Sequence, residues 1–162
     1  MNKPSISIEN NVEMRIIYIR FRGTYLEFRK SSNKLFKELF AFAEKNDLII
    51  PEVTKVMTIY NDNPFITGDN NLRTSIAMTI PKDVEILEEG QICVSSLSGK
   101  FAIGHFDISL KEYEEAWKYM YEEWLFKGDQ TPRDSIPFEL YVTEPPKNFK
   151  GKSLTDIYIP IE

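Results

Sequence analysis

Ile59-Tyr60-Asn61-Asp62-Asn63-Pro64 and Leu140-Tyr141-Val142-Thr143-Glu144-Pro145 are two versions of one phrase: an apolar residue, a tyrosine, a short run and a proline. Tyr60 and Tyr141 stand 81 positions apart, and so do Pro64 and Pro145. Each phrase ends a run that reads as a strand, 53–60 (VTKVMTIY) and 137–142 (PFELYV). Pro81 and Pro160 likewise close the last strand of each half. Several features agreeing at one spacing point to an internal duplication.

Working outward, the same order of elements appears twice. Residues 14–22 (MRIIYIRFR) are rich in β-branched and aromatic side chains and read as a strand ended by Gly23. Residues 28–45 carry Leu35, Phe36, Leu39, Phe40 and Phe42 at helical spacing, with Asn46-Asp47 as the stop. Strands at 53–60 and 72–80 follow, then an acidic connector at 82–90 closed by Gly90. The second half opens with a strand-like stretch, 91–106, read as a hairpin turning at Ser98-Gly99. Ser109 caps a helix over 109–126, with Glu112 three residues on as its capping-box partner. Strands at 137–142 and 154–161 complete the half. The expected fold is α+β: two strand–helix–strand–strand units, about 14–81 and 91–160, in a single domain over 1–162. Antiparallel sheet would carry two helices on one face, with a ligand cleft between the halves.

Composition narrows the function. The chain has 162 residues, enough for one domain with its own core. A net charge of −5, with Lys and Arg scattered, argues against direct nucleic-acid binding. One cysteine, Cys93, excludes an internal disulfide, and its setting in Ile92-Cys93-Val94 reads as a small buried hydrophobe. One histidine, His105, cannot build a histidine-rich metal centre, so neither metal nor cofactor is expected. Ser95, Ser96 and Ser98 sit in no nucleophile-elbow pattern, and there is no phosphate-binding glycine loop. No signal-peptide core or membrane-length apolar run occurs, so the expected location is the cytoplasm. Aromatics make up 13% of the chain, a content that suits a pocket for flat or cationic organic molecules.

Glu139 is the residue on which chemistry would turn. Strand alternation in Phe138-Glu139-Leu140-Tyr141-Val142 puts Phe138, Leu140 and Val142 on one face, expected under the helices. Glu139 and Tyr141 then point the other way. In the first half Thr58 holds the equivalent place, so the repeat is broken by a single acid. Trp117 and Trp124, seven apart, share a helix face; Tyr113, Tyr121, Tyr141 and Tyr60 are further ligand-binding candidates beside Glu139.

The ordered set Phe21-Arg-Gly-Thr-Tyr25, Tyr60-Asn-Asp-Asn-Pro64, Glu123-Trp124-Leu125, Phe138-Glu-Leu-Tyr141 and Thr155-Asp-Ile-Tyr-Ile-Pro160 resembles the GyrI-like small-molecule-binding domain, over about 14–161. That domain also serves as the effector-binding module of AraC-type and MerR-type regulators. The resemblance implies a duplicated fold and a cleft for lipophilic cations or other aromatic compounds, held by aromatics and a central Glu. That Glu falls on Glu139, and the helix Trp of the family falls on Trp124. Many members carry a Gly-Pro-Tyr-like step before the second helix, where this chain has Asp107-Ile108-Ser109. No helix-turn-helix fits ahead of the first strand, so a stand-alone binding protein for sensing or sequestration is expected. Two alternatives follow from relatives: a hydrolase of strained electrophiles using Glu139 with Tyr141 or Tyr113, and a protein–protein regulator like the gyrase-inhibiting members.

Overall fold

The computed structural model describes residues 1–144 and 151–162. Its contacts divide the chain into two units, Glu13–Ser98, and Met1–Val12 together with Gly99–Glu162. The fold is mixed α+β with antiparallel strand pairing. The elements are β1 (Ser5–Arg22), α1 (Tyr25–Lys45), β2 (Val56–Tyr60), β3 (Arg73–Ile80), β4 (Ile92–Ser109), α2 (Tyr113–Lys118, preceded by a 3-10 turn at Leu110–Glu112 and continued by a π-helical stretch at Tyr119–Leu125), β5 (Phe138–Tyr141) and β6 (Lys152–Pro160).

In the Glu13–Ser98 unit, β3 pairs with β1 from Arg15↔Ile80 to Arg22↔Arg73 and with β2 from Val56↔Met78 to Tyr60↔Thr74. The helix begins at Tyr25, three residues before the expected 28, because Thr24 caps it. The Glu27 N–H donates to Thr24 Oγ1 and the Thr24 N–H donates to Glu27 Oε1, each at 3.1 Å. Its stripe of Phe28, Leu35, Leu39, Phe42 and Ala43 packs on Ile17, Ile19, Ile76, Met78 and Ile80 of the sheet. Val84 and Ile86 of the acidic connector pack against the same core. Cys93 is half-exposed rather than buried, because only alternate residues of an extended strand face the core. Burial, with nearby Glu88 adding to it, pushes its thiol up.

In the second unit, β6 pairs with β4 from Phe101↔Pro160 to Ser109↔Lys152 and with β5 from Phe138↔Tyr158 to Tyr141↔Thr155. Ala116, Met120 and Leu125 of the helical segment pack on Ala102, Phe106, Ile108, Ile157 and Ile159. Three expectations are corrected in the strands and helix. No hairpin forms at Ser98-Gly99: β4 is one strand of 18 residues. Gly99 adopts φ 111°, and a Cβ there would stand 2.7 Å from a guanidinium nitrogen of Arg133, so the glycine makes room for a side chain rather than a turn. β1 extends back to Ser5, well before residue 14. The second helix is not a uniform α-helix: past Lys118 it widens, and the Phe126 N–H reaches back five residues to the Tyr121 carbonyl at 2.9 Å.

The duplication is written into the strand register. Thr58↔Ile76 in the first unit becomes Glu139↔Ile157 in the second, a shift of 81 positions in both strands (58 to 139, 76 to 157). Tyr60↔Thr74 becomes Tyr141↔Thr155 by the same shift. The helix starts correspond too: Thr24 with Glu27 matches Ser109 with Glu112, where Glu112 Oε1 accepts from both the backbone N–H and the hydroxyl of Ser109 at 3.0 Å. Pro145, the partner expected for Pro64, lies outside the described residues.

Candidate functional site

Glu139 lies in the middle of β5, and its residue is 4% exposed. Alternation correctly pairs it with Tyr141, but the side of the sheet is opposite to the one expected. Glu139 sits across from Ile157, a residue of the core packed on the helical segment. Phe138 faces the other way, stacked on Tyr158 at 4.5 Å and edge-on to Phe101 at 5.5 Å. Both faces of this strand are covered, so hydrophobicity alone did not say which one meets the helix.

Trp117 and Tyr141 both donate to the carboxyl group. The Trp117 indole N–H donates to Glu139 Oε2 and the Tyr141 hydroxyl donates to Glu139 Oε1, each at 2.9 Å. A carboxyl group removed from water is costly unless its lone pairs are met, and each of these donors offsets part of that cost. The aromatics then build on one another. Trp117 stacks on Tyr121 with ring centres 6.3 Å apart, and Tyr113 lies edge-on to Tyr141 at 6.4 Å. The Tyr113 hydroxyl shares a 2.8 Å hydrogen bond with Thr155 Oγ1, and Thr155 is directly opposite Tyr141 in the ladder.

Burial raises the Tyr113 phenol, and the charge of Glu139 adds to the rise. Burial alone pushes Tyr121 up to about 12. Both rings therefore stay neutral through the physiological range and offer their faces and hydroxyls around Glu139.

Of the residues expected to bind ligand, the structure brings Trp117, Tyr113, Tyr121 and Tyr141 together around Glu139. Trp124 packs against the apolar cluster of the helical segment. Tyr60 belongs to the other unit, edge-on to Tyr25 at 5.8 Å. Thr155 was not anticipated; its signal was its place opposite Tyr141 once the β5–β6 register is known. Among the described residues, no group of three or more His, Cys, Asp or Glu is arranged to hold a metal ion. Nor is any helix among them long and apolar enough to cross a membrane.

A duplicated strand–helix–strand–strand frame with one buried acid among aromatics is the pattern the sequence resemblance implied. The model of the GyrI-like small-molecule-binding domain matches residues 4–162. The chain belongs to this family. This GyrI-like domain is 26% identical over 157 residues to YosT, an SPbeta prophage-derived protein of Bacillus subtilis named as a transcriptional regulator, covering 97% of this chain and 99% of that one. Among solved structures it is similar to the EcmrR C-terminal domain, with a TM-score of 0.75, 14% identity and 98% of each chain covered. It spans 57% of the longer EcmrR chain in that protein's DNA complex. It is also similar to SAV2435 bound to tetraphenylphosphonium, with a TM-score of 0.60, 13% identity, and 98% of this chain and 94% of that one covered. At such identities the structural likenesses show the fold.

Proposed function

We propose that this GyrI-like domain captures aromatic, lipophilic cations at Glu139, as a sensing or sequestering protein of the cytoplasm. The observation that carries the reading is the buried carboxylate of Glu139, bonded by Trp117 and Tyr141 and set among stacked aromatic rings. A desolvated negative charge gains most from a partner that brings positive charge without a strong hydration shell of its own. Aromatic faces add attraction for the same class of ligand, through both apolar contact and the ring quadrupole. The similarity in fold to a protein bound to tetraphenylphosphonium supports the ligand class.

Titration calorimetry with tetraphenylphosphonium tests the reading, with neutral triphenylphosphine oxide as the uncharged control. Glu139→Gln keeps the shape and one acceptor but removes the charge. It should weaken the cation by about 2–5 kcal/mol, while the neutral compound loses far less. Equal losses for both, or no binding of the cation to the unaltered protein, would sink the proposal.

A further inference from the structure

A second cluster of chemically active side chains lies on the opposite face of the β4–β6 ladder from the helical segment. His105 and Asp156 are direct cross-strand partners there, while their neighbours Phe106 and Ile157 point into the core. His105 Nδ1 is 2.8 Å from Asp156 Oδ1, and His105 Nε2 is 2.9 Å from Ser7 Oγ on β1. The order carboxylate, imidazole, hydroxyl is that of a serine nucleophile with its base and its orienting acid. A carboxylate on Nδ1 fixes the proton at that nitrogen. Nε2 then presents its lone pair to the Ser7 hydroxyl, the arrangement needed to draw off the hydroxyl proton.

The cluster is open to a reactant. His105 is exposed, and Ser7 is half-buried. A groove of about 280 Å³ runs beside it, whose lining includes the apolar side chains of Val142 and Leu154 and the polar ones of His105, Asp107 and Asp156. Apolar walls suit an acyl or aryl group, and the two aspartates disfavour an anionic one. We propose that Ser7, His105 and Asp156 form an acyl-accepting site for small uncharged esters, separate from the Glu139 site.

In the first step Ser7 Oγ attacks the ester carbonyl carbon while its proton passes to His105 Nε2. The tetrahedral intermediate collapses, the carbon–oxygen bond to the alcohol breaks, and the alcohol leaves with the proton from His105. Water, deprotonated by the same nitrogen, then attacks the acyl-Ser7 ester and releases the acid. The net change is ester plus water to acid plus alcohol, with no other reactant.

The test uses the full chain with p-nitrophenyl acetate and, separately, phenylmethanesulfonyl fluoride. Peptide mass mapping should place the sulfonyl adduct on Ser7, and nitrophenolate release should exceed the buffer rate. Ser7→Ala should abolish both signals, and Ser5→Ala, a change on the same strand, should alter neither. His105→Gln retains a polar side chain but no base and should slow labelling by about 10²-fold or more. Asp156→Asn should also slow it, through the wrong imidazole tautomer. Circular dichroism melts of each variant separate lost chemistry from lost folding. No adduct on Ser7, or an adduct formed at an equal rate in folded His105→Gln, overturns the proposal.

Discussion

Tyr121 illustrates how burial at one residue becomes a measurable property of the protein. Its phenol is pushed from the usual value of 10.0 up to about 12 by desolvation. In the unfolded chain it ionises near 10, so the unfolded state sheds its proton first as pH rises. The neutral, half-buried ring thus contributes stability that is fully present below pH 10 and is lost as pH climbs towards about 12. Chemical denaturation at stepped pH should show stability falling across that window, and Tyr121→Phe should make the fall shallower. An identical alkaline profile in the variant would show that the ring titrates freely. At this scale Glu139 was legible, since strand parity and the broken repeat both singled it out. Its orientation was not, because parity sorts residues into two faces and Phe101 and Tyr158 cover the face that the helix does not. The contacts of His105 were illegible for another reason: Ser7 and Asp156 lie on two other strands, 98 and 51 positions away.

At the scale of elements, β4 meets the helical segment through Gly104. A Cβ there would stand 2.7 Å from a ring carbon of Phe106 and closer still to the Met120 sulfur, and Met120 is fully buried. The glycine therefore sets how closely strand and helix approach. Gly104→Ala should cost about 1–3 kcal/mol, the usual penalty for overpacking, read as a lower urea midpoint with an unchanged slope. An unchanged midpoint would mean that the two elements part without strain. The helices themselves were legible from their stripes and from the Ser109–Glu112 cap. The π-helical stretch was not, because Tyr113, Trp117, Met120, Tyr121, Trp124 and Leu125 fit an ordinary α-helical stripe equally well. The start of β1 was missed because Ser5–Asn11 is mostly polar, with Ile6 half-buried against the core of its unit.

For the molecule as a whole, the repeat explains an imperfection. Thr74 is fully buried, and its hydroxyl has no hydrogen-bond partner among the described residues. Its counterpart Thr155 is bonded to the Tyr113 hydroxyl at 2.8 Å. Counted from the matching caps at Thr24 and Ser109, Tyr113 corresponds to Phe28, a buried ring without a hydroxyl. Phe28→Tyr should supply the missing partner and raise stability by about 0.5–1.5 kcal/mol. The gain should vanish in a Thr74→Val background, and a gain that persists there would show another origin. The duplicated order of elements was legible because both copies keep their caps, stripes and turn prolines. The orphaned hydroxyl was not, because it depends on which helix residue meets which strand residue.

The pairing of Thr58 with Glu139 across the repeat also bears on how this protein counts. Thr58 is 5% exposed and holds the register position of the acid without its charge. Two frames with one carboxylate form a single-occupancy device, and on the proposed reading saturation comes at one cation per chain. A lone site has no internal cooperativity, so occupancy would follow ligand concentration as a simple hyperbola. A regulator built on it would obtain any sharper threshold from the assembly of several chains.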